Sequence, residues 1–270
     1  MKIDVVQTIS EGSNQFEVLY NDQLKYRAIL PFVTINEPLN LEKIRSMKVN
    51  NLEGNTVYQT NYDYIENLKE EIIPLKYLVT KNQKFNQIVF HSEEKDIKIY
   101  YEENEIWFNR YIIEQEGKRY FVYSIMDGII RHFPIYDGET QIGEALKSNV
   151  KIDGKDEYRI YLKDNSSTLA DAVSCLMLFL DRSEYSSSYI VNKSKTVSYS
   201  YSYNKTNKYY NKNWVATNFD NSYMEKVQQQ ANVVKQDVKK QFSITMIAIG
   251  IGLAVVFVGF IIVVLAMLLF

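Results

Sequence analysis

Cysteine is nearly absent from this chain of 270 residues. The single one, Cys175, excludes an intramolecular disulfide and any cysteine-based zinc site. Histidine is almost as scarce: His91 and His132 leave little for metal binding or acid–base chemistry. Catalytic signatures are missing as well. No GxxxxGK[ST], GxGxxG after a strand, GxSxG, HExxH or CxxC occurs. Met1-Lys2-Ile3-Asp4-Val5 has an early acid and no apolar run, so no signal peptide is expected. Charge, finally, is lacking altogether between Phe242 and Phe270.

What is present is globular in proportion, with 46% hydrophobic and 24% charged residues, which rules out a wholly disordered or collagen-like chain. The 22 tyrosines among the aromatics favour strands and half-buried sheet faces. The net charge of −2 hides a polarity. Residues 1–185 carry 22 Lys and Arg against 30 Asp and Glu, a net of −8, whereas residues 186–242 carry 9 against 3, a net of +6.

The uncharged stretch 242–270 is 29 residues long. As a helix at ~1.5 Å per residue it exceeds the ~30 Å core of a bilayer. We expect a transmembrane tail anchor there. Lys235, Lys239 and Lys240 precede it, so the positive-inside rule puts the N-terminal bulk on the cytoplasmic side of a single-pass span. The basic residues ahead of it suit either an anionic leaflet or plain solvation.

Upstream, residues 186–221 read as a low-complexity, disordered linker rich in Ser, Asn, Lys and Tyr. The sequons at Asn192 and Asn204 are meaningless on a cytoplasmic stalk. Residues 222–241 read as a juxtamembrane amphipathic helix. Ser222 and Glu225 have capping-box spacing, and Tyr223, Val227, Ala231, Val234, Val238 and Phe242 form one stripe. That stripe could lie on the membrane, pair in a coiled coil or dock on the preceding domain. Small residues at Ala248, Gly250, Gly252, Ala254 and Gly259 allow a homodimer through these helices, against the background frequency of Gly and Ala in membrane spans.

Residues 1–185 read as mainly β. Twelve candidate strands are Lys2–Ile9, Gln15–Tyr20, Leu24–Phe32, Ile44–Val49, Thr56–Tyr62, Gln87–His91, Ile97–Glu102, Ile106–Gln115, Arg119–Met126, Ile129–Ile135, Gln141–Ser148 and Glu157–Leu162. Turns at Gly54, Gly117, Gly138 and Gly154 separate several of them, which implies an antiparallel meander closing into a barrel or sandwich. Glu66–Tyr77, interrupted by Pro74, reads as a short helix or a loop. Ser167–Arg182 breaks the pattern. Its second half has no polar face, yet it is too short to span a bilayer. We expect a helix over 167–182 threaded through an approximately twelve-stranded barrel, with Asp171 and Asp181 at the two rims.

Many strands followed by one buried helix resemble the tubby-like superfamily, which groups tubby C-terminal domains, LURP-one-related proteins and phospholipid scramblases. The residues that carry the resemblance are Ile135-Tyr-Asp-Gly138 with Gln141-Ile-Gly143-Glu, and Tyr158-Arg-Ile-Tyr-Leu162 feeding Leu169 to Arg182, which ends on Leu180-Asp181. The resemblance implies the enclosed-helix barrel over residues 1–185. It also directs attention to two ligand chemistries. Scramblases have a proposed calcium site in acidic residues ahead of the helix; here Asp153, Asp156, Glu157 and Asp164 stand there, without EF-hand spacing and interrupted by Lys155 and Lys163. Tubby domains bind phosphoinositides through basic residues; Arg131, Lys147, Lys151 and Arg159 are loosely adjacent on a domain of net −8.

Among the reactive side chains, Cys175 is expected to pack as a small hydrophobe, His132 to sit on a sheet face, and His91 to be solvated in a charged turn. We therefore expect no catalytic, cofactor or metal site and no cofactor. The expected role is a non-catalytic binding or scaffold module tethered to the cytoplasmic face of a cell membrane, its ligand a lipid, peptide or protein. A scramblase-like lipid handler and an unrecognised enzyme are the alternatives. Nucleic acid is not expected as a partner, because an acidic domain repels a phosphate backbone.

Overall fold

The computed structural model describes residues 1–9, 13–31, 46–61, 84–105, 108–152, 154–163, 167–182, 200–201 and 210–233. The strands are β1 (Lys2–Ile9), β2 (Ser13–Tyr20), β3 (Gln23–Pro31), β4 (Ser46–Asn50), β5 (Thr56–Asn61), β6 (Lys84–His91) and β7 (Ile97–Glu105). They continue as β8 (Phe108–Gln115), β9 (Lys118–Tyr123), β10 (Ile125–Gly128), β11 (Ile130–Asp137), β12 (Thr140–Ser148), β13 (Glu157–Leu162) and β14 (Ser200–Tyr201). The helices are α1 (Ser167–Leu180), α2 (Trp214–Asn218) and α3 over residues 222–233.

Strands β1 to β9 follow one another as an antiparallel meander, β9 passes to β11, and β11, β12 and β13 complete the circuit back to β1. Twelve strands thus close a barrel. The seam is antiparallel, with Lys2 opposite Tyr161 and Val5 opposite Tyr158. Beyond Ser124, where β9 breaks, β10 stays paired to β11, and β14 pairs outside the ring on β10 through Asp127 with Tyr201 and Gly128 with Ser200. All twelve strands expected from alternation are present. Only the ninth differs in kind, being split at Ser124.

Turn chemistry fixes several hairpins. Glu116 and Gly117 both take positive φ, 51° and 75°, the pairing that matches strand twist in a two-residue turn. Gly143 serves another purpose. A Cβ there would stand 2.6 Å from Leu162 Cδ2 and 2.8 Å from the Tyr161 carbonyl oxygen, so β12 and β13 meet without room for a side chain.

Period-two alternation sends one set of residues to a common core: Ile3 and Val5, Phe16 and Val18, Ile97 and Ile99, Phe133 and Ile135, Tyr158, Ile160 and Leu162. Helix α1 belongs to the same core, with Leu169, Val173, Leu176, Met177, Phe179 and Leu180 all buried. No helix among the described residues is long and apolar enough to cross a membrane. The expected span 242–270 with its small-residue pairs, the short helix or loop at 66–77, and the lysines at 235, 239 and 240 lie outside the described residues.

A second apolar cluster lies on the outer face. Ile130, Leu146, Val150, Ile152 and Tyr161 meet Trp214 and Val215 of α2 and Tyr223, Val227 and Ala231 of α3. Two sequence-based expectations change here. Part of the presumed linker, residues 210–219, packs on the barrel, because Trp214, Val215 and Phe219 are apolar groups in a polar stretch and the barrel offers them a place to bury. The first half of the helical stripe docks on the domain, the third of the three options. Tyr223, Val227 and Ala231 are therefore unavailable to a coiled-coil seam or a bilayer surface. The capping box is not made either: the Ser222 hydroxyl and N–H both donate to Asp220 Oδ1, and the carboxylate of Glu225 is left without a partner among the described residues.

Two substitutions test this architecture. Leu176→Ala, at a fully buried site, should cost about 2–5 kcal/mol, and Leu176→Asp should abolish the cooperative thermal transition in circular dichroism. Trp214→Ala should cost about 3–5 kcal/mol if residues 210–233 are part of the folded unit, and well under 1 kcal/mol if they are a linker.

Candidate functional site

The two ends of α1 are each met by a polar network. Near its start, Asp171 accepts hydrogen bonds from the hydroxyls of Tyr20 at 2.5 Å, Tyr58 at 2.8 Å and Tyr26 at 3.3 Å. Burial and the facing carboxylate hold all three phenols well above their ordinary pKa. At the far end, the Tyr158 hydroxyl donates to Asp181 at 3.0 Å. Lys147 lies there too, 4.9 Å from the Tyr158 ring centre and paired to Asp156 at 2.5 Å, with Lys151 on the other carboxylate oxygen at 3.3 Å. Burial alone would raise Asp156, but the two ammonium groups prevail and lower it. Asp181 has no such pair, and burial raises its pKa to about 6. The carboxylate of Asp171 near the N-terminal end suits the helix dipole, whereas at the C-terminal end the acids Asp156 and Asp181 stand beside Lys147 and Lys151.

The candidate ligand-sized feature lies outside the barrel. A groove of about 470 Å³ opens between β10–β11 on one side and residues 210–212 with α3 on the other. Ile129 and Ile130 contribute the barrel wall, Met224, Glu225 and Gln228 the helical wall, and His132 with Tyr210 the third side. Local rules explain the placement. In β11, Phe133 and Ile135 face the core, so His132, Pro134 and Tyr136 face outward. Glu144 on β12 is paired opposite Pro134 and shares that outer face.

His132 Nδ1 is 2.7 Å from Glu144 Oε1 and 2.6 Å from the Tyr210 hydroxyl oxygen, and the two rings stack obliquely with centroids 4.9 Å apart. Gln141 Nε2 donates to the other Glu144 oxygen at 3.4 Å. Burial raises the pKa of Glu144, with His132 and Gln141 pulling against it; burial, then the Glu144 and Asp127 charges, raise that of Tyr210. With Glu144 ionised, Nδ1 carries the proton and Nε2 is left as an acceptor. Nε2 has no hydrogen-bond partner among the described residues, and His132 borders the groove. Lys212 is paired with Asp127 at 2.8 Å across the mouth. No Ser, Thr or Cys is in the groove lining, which combines the acids Asp127 and Glu225 with Lys212, Tyr210, Asn221 and Gln228 over the apolar Ile129, Ile130 and Met224.

The residues singled out from the sequence fall elsewhere. Cys175 is buried in the helix and its thiol pKa is raised by that burial. His91 is exposed and 3.2 Å from Asp96. Of the acidic residues ahead of the helix, Asp153 and Asp164 lie outside the described residues, Asp156 is held by two lysines, and Glu157 is near Arg159 and Lys226. Among the described residues, no group of three His, Cys, Asp or Glu is placed to hold a metal. The four basic residues do not form one patch. Lys147 and Lys151 converge on Asp156, Arg159 pairs with Asp4 and Glu157, and Arg131 stands opposite Lys147 in the sheet. The contact between Tyr210 and His132 was not legible in the sequence; the partners are 78 positions apart, and Tyr210 is one tyrosine among many in a low-complexity stretch.

No protein-family model, curated protein or solved structure matches the chain.

Asp181 yields a pH signature. Its carboxyl binds a proton more readily in the folded than in the unfolded chain, where it titrates near the ordinary 3.8. Stability contributed by the protonated group is thus present below about pH 4 and lost as pH rises through about 6. Asp181→Asn, whose amide oxygen can still accept from Tyr158, should stabilise the protein at pH 7 by on the order of 2 kcal/mol and flatten the stability profile between pH 4 and 6. Parallel urea titrations of the two proteins across that range measure it.

Proposed function

We propose that the protein is a non-catalytic binding module held close against the cytoplasmic face of a membrane, built on a tubby-like barrel that encloses its core helix. The observation that carries this reading is the docking of α3. Tyr223, Val227 and Ala231 fasten it to the barrel, and it is helical at least as far as residue 233, the last described. Only residues 234–241 then separate the folded body from the uncharged apolar run 242–270. Eight residues reach at most about 28 Å fully extended and about 12 Å as a helix. The tether is therefore short, and the barrel rides beside the bilayer instead of swinging on a long stalk.

The burial of α1 in the same core cluster as the strands supports the same reading. Enclosed as proposed, the helix would fill the barrel and leave the outer surface as the place to bind. The groove opens on that surface, one wall of it the very helix that leads to the proposed span. The acidic body and basic stalk suit an orientation in which lysines, and not the net-acidic barrel, face anionic lipid.

Flotation with liposomes tests the tether. The full chain should float with vesicles, and a chain ending at residue 241 should stay in the dense fraction while keeping the same β-rich circular dichroism. Flotation of the shortened chain, or failure of the full chain to float, overturns the reading. Protease treatment of intact cells checks the orientation: the barrel should be cut only after the membrane is opened.

A further inference from the structure

We infer that the groove beside α3 receives a cationic side chain, a lysine or arginine borne by a separate peptide. The inference rests on the binding-module reading above and gives that module its ligand class. Four observations converge. His132 borders the groove, and in the tautomer that gives its Nδ1–H to Glu144 its Nε2 is an acceptor without a partner among the described residues. Glu225, left out of the capping box, lines the groove with a carboxylate that has no partner among the described residues. Asp127 and Lys212 at the groove neutralise one another, which leaves the Glu225 charge uncompensated among the described residues. Ile129 and Met224 provide apolar surface along which the methylenes of a lysine or arginine stem can lie.

Other ligand classes fit less well. An anion would meet the Glu225 carboxylate and a lysine that Asp127 already neutralises, on a domain of net −8. A bare metal ion needs ligands that converge, and among the described residues no three His, Cys, Asp or Glu do so. A volume of about 470 Å³ exceeds what one ammonium group fills and lies within the usual ~300–1,000 Å³ of ligand clefts, so a short stretch of peptide accompanies the cation. Because the groove is open and partly solvated, charge attraction here sets selectivity and is weakened by salt.

The test uses the full chain in nanodiscs of zwitterionic lipid, so that the bilayer itself does not attract a basic probe. A fluorescein-labelled peptide Ala-Leu-Lys-Leu-Ala is titrated by anisotropy beside a twin with norleucine in place of lysine. The lysine peptide should bind at least tenfold more tightly than its twin. Raising salt from 50 to 500 mM should weaken it severalfold. Glu225→Gln, at an exposed position that leaves the fold intact, should weaken it about fivefold, and Glu225→Lys should reduce it to the level of the norleucine twin. Equal binding of the two peptides, no binding of either, or an unchanged affinity in Glu225→Gln overturns the inference. The flotation experiment on the same preparation reads the membrane tether separately. Loss of peptide binding with flotation intact sinks only the ligand assignment, whereas failed flotation with lysine-selective binding sinks only the tether.

Discussion

The burial of a helix that is apolar on every side constrains the rest of this structure. Eleven residues of α1 are removed from solvent, among them consecutive positions from Ala172 to Leu180. A helix with one apolar stripe can rest on a sheet; one without a polar face has to be covered all round. The closed sheet contributes inward residues to the same buried cluster as α1, and closure removes the exposed edges that a twelve-stranded open sheet would carry. Closure is achieved between β13 and β1, the strand just before the helix pairing with the first strand. It demands close approach where β12 meets β13, and Gly143 supplies it by having no side chain. The helix still has two ends with unsatisfied backbone groups. Polar side chains gather at both, the tyrosines around Asp171 and the Lys147–Asp156–Asp181 group, so that the apolar interior is bounded by hydrogen-bonded residues.

A second consequence concerns β13, which is buried on both faces. Tyr158, Ile160 and Leu162 look toward the helix, while Tyr161 looks outward and meets Phe219, ring centres 5.0 Å apart. The outer face would be an exposed apolar strip without residues 210–233. Those residues cover it, and the Tyr223 hydroxyl donates to the Glu157 carbonyl at 3.1 Å, stapling α3 to β13. The strand that closes the barrel is thereby also the strand that seats the C-terminal segment. Loosening of the seat would be felt at the seam, because β13, with Ile130 of β11 and Leu146 of β12, carries the docked segment.

Sequence alternation made the barrel legible because strands with one buried face repeat every second residue, and twelve such runs were visible. The helix was legible for the opposite reason, its lack of any periodicity. The ends of elements were less so: β9 breaks at Ser124, where no proline or glycine marks it. The site was almost illegible. His132 and Glu144 are diagonal neighbours across β11 and β12, a relation that depends on register and on a bulge between Ile135 and Tyr136. Tyr210 comes from a stretch whose composition argued for disorder. Trp214 and Phe219 were the one usable signal, large apolar groups with no local partner, and they belong with Tyr223 and Val227 in the docked surface. Composition averaged over the stretch concealed them.

The failed capping box shows how a local rule can yield to a neighbour and leave a functional group behind. Ser222 and Glu225 have the right spacing, but Asp220 sits two residues ahead and its carboxylate takes both the Ser222 N–H and hydroxyl. An ionised carboxylate is a stronger acceptor than a hydroxyl, so the cap goes to Asp220, whose pKa is lowered by those two bonds. Glu225 is then free of the helix end. On an isolated helix it would be one more solvated acid. On this one, α3 is held against the barrel by the face bearing Tyr223 and Val227, and Glu225 comes to line the groove that His132 borders. The charge of the groove is thus set by three separate decisions of the chain: which residue caps α3, which face of α3 docks, and which nitrogen of His132 the Glu144 carboxylate occupies.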